Sequence, residues 1–306
     1  MWANRAWVGR WFPVDTPTGQ ELSTYASWCN TVEGNTTFYA TPPAETIARW
    51  LDQAPDHFRF CFKLPQEITH QRRLRASGDV LTDFLDRIEP LLPHLGPLQV
   101  QLPASFEPDD ISVLDTFLSG LPASFGWAVE VRHPDFFVGG QSERPLNDLL
   151  AARGVNRVTL DSRALFKGHP TTSAEKEAWE NKPRLAVRPV ATGTQPLVRL
   201  IGQSDTEASM AEWEPWIGKL AEWVQAGLEP HVFAHTPDNA DAPDLARRLW
   251  SRVRRLVPEL APLPVPALRT GVEQLDMFPG TDAKRNPGRD EGAAETAAPS
   301  VEEWLR

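Results

Sequence analysis

The feature that most constrains this chain is a repeated alternation of short β-rich runs with helix-patterned stretches. The runs are TVEGNTTFY (31–39), FRFCFKLP (58–65), LQVQLP (98–103), WAVEVRH (127–133), NRVTLD (156–161), LVRLIG (197–202) and HVFAH (231–235). Between them lie segments such as AETIARWLDQAP (44–55), where Ile47, Trp50, Leu51 and Ala54 fall on one helical face. An irregular polar stretch from about 162 to 196 is the one long break. Repeated β-α units build a parallel sheet, which is either open and doubly wound or closed into a barrel.

Parity along the strands separates the two. One face carries Glu33 and Asn35, Cys61 and Lys63, Gln99 and Gln101, Glu130 and Arg132, Thr159 and Asp161, and Arg199. The other carries Val32, Phe58, Phe60 and Phe62, Val129 and Val131, Val158 and Leu160, and Val198 and Leu200. A doubly wound sheet is covered by helices on both sides and is apolar on both. A sheet greasy on one face and polar on the other fits a TIM-type (β/α) barrel, with its polar face toward the axis.

The inward polar residues come late in their strands, toward the C-terminal rim where barrel sites are built. Glu33 and Glu130 form a candidate acid/base pair if unequal neighbours push their pKa values apart, with His133 as a third candidate catalytic group. Lys63, Arg132 and Arg199 are suited to an anionic group such as phosphate or carboxylate. His70 and His133 directly follow strand ends. A metal set of Glu33, Glu130, His133 and Asp161 is conceivable on paper, but the cations interleaved among these ligands argue against metal. The bland alternative is a buried network in which Glu33, Glu130 and Asp161 neutralise Lys63, Arg132 and Arg199. There is no Gly-rich phosphate loop, GxSxG elbow or HExxH, and the residues specify no cofactor.

Charge and composition narrow the class further. A formal net charge of −10 excludes a broad nucleic-acid-coating face, though not a local basic groove. No apolar run approaches membrane-spanning length, and the N-terminus has no signal-peptide core, so a cytoplasmic protein without a membrane partner is expected. Cys29 and Cys61 form no metal-spaced pair and fit a reducing compartment.

In combination, several segments resemble the YecE-like family, also called domain of unknown function 72. They are NTVEGNTTFY (30–39), the Pro43-to-Trp50 spacing, FRFCFKLPQEITH (58–70), LQVQLP (98–103), WAVEVRHPDF (127–136), LVRLIG (197–202) and NADAP (239–243). The resemblance covers roughly residues 4–255 and implies a TIM-type barrel, but no established activity, cofactor or substrate. Its motif positions fall on Glu33, Asn35, Phe38, Tyr39, Lys63, Thr69, His70, Gln101, Pro103, Glu130, Arg132, His133, Asn239 and Pro243. Asn35, Tyr39, Lys63, His70, Gln101, Arg132 and Asn239 from these positions, with Asp161 and Arg199 from the inward polar face, are the candidate substrate-binding residues. Family members begin with a strand bearing a Gly-Thr-Ser-Gly-Trp-like sequence, and Met1 falls about where that strand ends. The expectation is a chain that starts late and lacks most of its first strand. Gly34 replaces a bulkier apolar residue and, by parity, points outward.

The barrel domain is expected to span 1–260, followed by a disordered acidic tail at 261–306. The stretch APLPVPALRT (261–270) is Pro-rich, and residues 271–306 hold eight acids against four bases. Two apolar islands interrupt the tail, Val301–Leu305 and Gln274-Leu275-Asp276-Met277-Phe278. The second resembles the peptide by which bacterial DNA-maintenance proteins dock on the sliding clamp. Leu275, Met277 and Phe278 would fill apolar pockets while Gln274 sets register. Two readings stay open. One is an enzyme acting on an anionic substrate, a nucleotide or a nucleic-acid end; the other is a clamp-associated adaptor without turnover.

Overall fold

The computed structural model describes residues 2–266. The chain divides into two units, Met1–Arg269 and Thr270–Arg306, and every described residue belongs to the first. The candidate clamp peptide, Gln274 to Phe278, lies outside the described residues.

Seven strands form where the alternating runs place them: β1 (Thr31–Gly34), β2 (Arg59–Phe62), β3 (Leu98–Gln101), β4 (Trp127–Glu130), β5 (Asn156–Asp161), β6 (Leu197–Ile201) and β7 (His231–His235). Helix α1 (Glu21–Ala26) precedes β1, and α2 (Ala44–Gln53), α3 (Gly78–Ile88), α4 (Ile111–Ser119) and α5 (Glu143–Ala152) follow the first four strands in turn. The irregular polar stretch after β5 contains two short helices, α6 (Arg163–Lys167) and α7 (Ser173–Asn181). Helices α8 (Thr206–Gln225) and α9 (Ala242–Leu256) follow β6 and β7.

All paired strands are parallel. β1 pairs with β2, and β3 through β7 pair in chain order. Single bridges, Phe60 to Leu95 and Lys63 to Gln99, link the two ladders. The result is a curled parallel sheet. Among the described residues no ladder joins β7 to β1, so the expected closed ring is open at this seam. Side chains of its two edges meet across it, with Thr31 Oγ1 3.3 Å from His231 Nδ1 and His235 Nε2 3.5 Å from Glu33 Oε2.

The outer face is packed as its sequence dictates. Trp50 of α2 stacks on Phe60 and Phe62 at centroid distances of 6.1 and 5.4 Å, while Leu51 lies at the exposed edge. On α8, Met210, Trp213, Trp216 and Trp223 are buried, in one apolar cluster with Val198 and Leu200. Asp205 caps α8 by accepting from the Ala208 N–H, and α9 carries Pro243 in its first turn and Arg254 and Arg255 in its last, the latter matching its dipole. Gly34 has no room for a side chain: a Cβ there would lie 2.4 Å from Phe62 Cδ1. The first residues of the expected tail also touch the domain. Arg247 donates to the Leu263 and Pro264 carbonyls, and Trp250 donates to that of Ala261.

On β5 the strand parity is the reverse of that expected. Register pairs Leu160 with Arg199 and Asp161 with Leu200, so Leu160 shares the inner face and Asp161 the outer one. Outward partners explain the choice. Arg157 is held by Glu143 and Asn147 of α5, and Asp161 accepts from the Trp216 indole of α8 at 2.8 Å. Val158 turns inward, into a small apolar cluster with Cys61, Ala128, Leu197 and Phe233. The interior thus holds an apolar cluster low in the sheet, beside the uncharged Gln99 and His231, and charged groups toward the C-terminal ends of the strands.

Candidate functional site

Arg199, on the inner face of β6, is the centre of the charged layer. Its Nε is 2.6 Å from Glu33 Oε1, and its Nη1 donates to Glu130 Oε2 at 3.1 Å. One guanidinium therefore ties β6 to β1 and β4 across the interior. Glu130 Oε1 accepts from Arg132 Nε at 2.8 Å, and Glu33 Oε2 accepts from Asn35 Nδ2 at 3.3 Å. Strand parity brings these residues together, because Glu33 and Glu130 occupy inward positions at the ends of β1 and β4. Arg132 remains a quarter exposed, whereas Glu33, Glu130 and Arg199 are buried.

Burial alone would raise both carboxyls, but the cations outweigh it. Arg199 and then Lys63 hold Glu33 well below the usual carboxylate range, and Arg132, Arg199 and Lys63 bring Glu130 down to about 2. The two acids are shifted in the same direction by shared cations, which is not the divergence expected of an acid/base pair. Both are anions at neutral pH. Burial, then Arg199, lowers the Lys63 ammonium to about 8. Burial and Arg132 lower His70, and burial lowers His235 despite Glu33, so both imidazoles favour the neutral form.

Two members of the cluster escaped the sequence reading. His235 lies on the inner face at the end of β7, and the period-2 pattern of HVFAH would have placed it there. Lys182 follows α7; its ammonium is lowered by burial and then by Arg199, and it also feels Glu33, Arg132 and Glu130. Nothing in the local sequence signals that this loop lysine faces the strand ends. With it, four cations among the described residues, Lys63, Arg132, Lys182 and Arg199, surround the carboxylates of Glu33 and Glu130.

The remaining candidates are placed as follows. Gln101 is buried beside Glu130 in register, and its Oε1 has no hydrogen-bond partner among the described residues; nor does Asn35 Oδ1. His70 bonds Thr69 Oγ1 at 2.8 Å and packs edge-on against Phe38. Tyr39 is exposed, its ring against Phe38. His133 turns away from the network: its Nδ1 accepts from the Asp135 N–H, and its ring packs on Phe136. It serves as the cap of a short turn. Asp161 is on the outer face, clamped to Arg163 and Trp216, and does not belong to the cluster. Asn239, at φ 59°, offers its carbonyl to Trp7 Nε1 at 2.9 Å. A cavity of about 450 Å³ follows the seam between β1 and β7, lined by apolar side chains including Trp28, Phe233 and Trp250 and reaching Glu33, Asn35, His235 and Asn239.

Among the described residues no three His, Cys, Asp or Glu side chains converge as a metal ion would need. No helix among them is long and apolar enough to cross a membrane. The Cys61 thiol is pushed up by burial and lies 3.7 Å from His231 Nδ1, deep below the charged layer.

A curled parallel sheet with its charged residues gathered at the strand ends defines an α/β protein of half-barrel form. The family described as Protein of unknown function DUF72 matches residues 1–268, and the chain belongs to it. It is 46% identical over 243 residues to the UPF0759 protein YecE of Escherichia coli strain K12, covering 79% of this chain and 89% of that protein. A shorter stretch of 85 residues is 29% identical to the UPF0759 protein YunF of Bacillus subtilis strain 168, covering 28% of this chain and 30% of that protein. Among solved structures, a DUF72 family protein from Thermotoga maritima MSB8 superposes with a TM-score of 0.62 at 20% identity, covering 85% of this chain and 97% of the other. One from Enterococcus faecalis V583 superposes with a TM-score of 0.57 at 20% identity, covering 78% and 94%. These structural likenesses bear on the fold.

Proposed function

We propose that this chain is a cytoplasmic TIM-type barrel enzyme that binds an anionic, phosphate-bearing substrate at the C-terminal ends of its strands. The observation that carries the reading is the surplus of cations. Arg199 is engaged by both Glu33 and Glu130, and Arg132 shares Glu130, so among the described residues Lys63 and Lys182 are the cations of the cluster outside its ion pairs. Cations are held close together against their mutual repulsion when an anion completes the site. Glu33 and Glu130 then act as fixed charges that orient the cations, and Asn35 and Gln101 supply polar groups for the rest of the ligand.

The test is calorimetric titration with inorganic phosphate and pyrophosphate. The wild-type chain should bind, and Arg132→Ala should weaken binding about ten-fold or more, the loss of one charge-assisted contact. Unchanged affinity in a folded Arg132→Ala variant would leave these cations a structural role.

The Gln274-Leu275-Asp276-Met277-Phe278 segment supports a second element, tethering to the bacterial sliding clamp. A single short peptide that orders on docking binds at roughly micromolar strength. A labelled 268–284 peptide titrated with purified clamp should show an anisotropy rise that Leu275→Ala with Phe278→Ala abolishes. Equal behaviour of the two peptides would make the likeness accidental. If the clamp binds but phosphate does not, the chain is an adaptor without turnover.

A further inference from the structure

We propose that Lys63 is an amine nucleophile that captures the carbonyl group of a phosphorylated aldehyde or ketone as an imine. The inference rests on the anion site above for the phosphate, and on the surroundings of Lys63 itself for the amine.

Lys63 follows β2 directly and is bridged in the sheet to Gln99, so its backbone is fixed while its side chain enters the charged layer. The residue is only 6% exposed. Both neighbouring carboxylates are committed elsewhere: Glu33 to Arg199 at 2.6 Å, and Glu130 to Arg132 at 2.8 Å and Arg199 at 3.1 Å. Among the described residues the Lys63 ammonium makes no hydrogen bond or ion pair of its own, although Arg199, Glu33, Glu130 and Arg132 all act on it electrostatically. A desolvated lysine facing other cations is the arrangement that releases a neutral amine near physiological pH. With a pKa of about 8 against an ordinary 10.5, it offers roughly two-hundred-fold more free amine at pH 7.5 than a surface lysine.

The rest of the layer fits the substrate class. Arg132 is partly exposed and Lys182 borders the same cluster, which supplies two cations for a phosphate that do not lie on the Lys63 strand. Gln101 Oε1 and Asn35 Oδ1 are buried acceptors without a partner among the described residues, and both suit substrate hydroxyls. In the step itself the Lys63 nitrogen lone pair attacks the carbonyl carbon and a C–N bond forms. The C–O bond then breaks, and the oxygen leaves as water with the two amine protons. The products are one imine and one water, with no change of oxidation state.

The experiment uses the full chain with glycolaldehyde phosphate, trapped by borohydride and followed by peptide mapping. Plain glycolaldehyde and an excess of inorganic phosphate are the two comparison arms. Lys63 should be labelled about ten-fold or more above Lys167, Lys176 and Lys219, with phosphate competing and plain glycolaldehyde reacting less selectively. Lys63→Arg should keep the charge and lose the label. Label spread evenly over the lysines, or unchanged in a folded Lys63→Arg variant, overturns the imine assignment. Because the map is made on the unsubstituted chain, a variant that fails to fold still leaves the assignment decided. Phosphate binding without Lys63 labelling refutes the amine alone, whereas Lys63 labelling that phosphate does not affect refutes the anion site alone.

Discussion

Removing the Arg199 guanidinium tests the electrostatic account at its centre. In Arg199→Met the buried Glu33 and Glu130 lose the cation they share, while Arg132 and Lys63 remain near Glu130. Glu130 falls from an ordinary 4.5 to about 2 in the folded chain, a shift that corresponds to about 3 kcal/mol of stability at neutral pH. Stranding one partner of a buried pair costs about 3–5 kcal/mol. The expected loss at pH 7 therefore lies in that range, most of it carried by Glu33, whose depression is attributed first to Arg199 among the cations.

The pH dependence has a definite sign. In the wild type both carboxyls have depressed pKa values, so their stabilisation is present above about 4.5 and is lost as pH falls through the folded values, about 2 for Glu130. Without Arg199 burial dominates at Glu33, and its folded pKa rises above the unfolded value. Its contribution then favours folding at low pH and is lost as pH rises. Urea unfolding at pH 5 and pH 8 should find the gap between variant and wild type wider at pH 8, while the lowered His70 and His235 make the wild type itself more stable at pH 8 than at pH 5. A loss below about 1 kcal/mol, or parallel pH profiles for the two proteins, would refute the reasoning.

Two further substitutions probe the faces of the sheet. Asp161→Ala should cost about 1–3 kcal/mol by leaving the Trp216 indole N–H unpaired, yet leave phosphate affinity unchanged in calorimetry because Asp161 faces α8. Gly34→Ala should cost about 1–3 kcal/mol in urea unfolding, since its Cβ would meet the Phe62 ring at 2.4 Å.

Parity carried most of the site. Glu33, Lys63, Gln101, Glu130 and Arg199 each sit in a run whose alternate residues are strongly apolar, so the inward face is legible from period alone. NRVTLD lacks that contrast. Its Val158 and Leu160 look like residues for the helix side, and the deciding fact is where Arg157 and Asp161 find partners, on α5 and α8. Those partners lie 14 and 55 residues away, beyond any local pattern. Lys182 is hidden for a similar reason: it lies on a connection after α7, and only the path of that connection over the strand ends gives it meaning. His133 shows that following a strand end does not fix a side chain's direction. The adjacent Pro134 and Asp135 fold it into a turn cap.

The division of the interior into two layers explains why a charged cluster can persist in this position. Low in the sheet, Cys61, Ala128, Val158, Leu197 and Phe233 form an apolar cluster, with the uncharged Gln99 and His231 beside Cys61. The charged groups are thus displaced toward the strand ends, where the quarter-exposed Arg132 keeps one side of the network wet. A wholly structural ion cluster would gain little from this arrangement, since well-packed apolar residues at such positions are often as stable or more so. A cluster with surplus cations, a lysine outside the ion pairs and two buried acceptors gains its rationale from a ligand that brings the missing charge and donors. Stability and phosphate affinity should therefore trade against each other: Lys63→Met, which removes a desolvated cation, should cost affinity at less expense in stability than Arg199→Met.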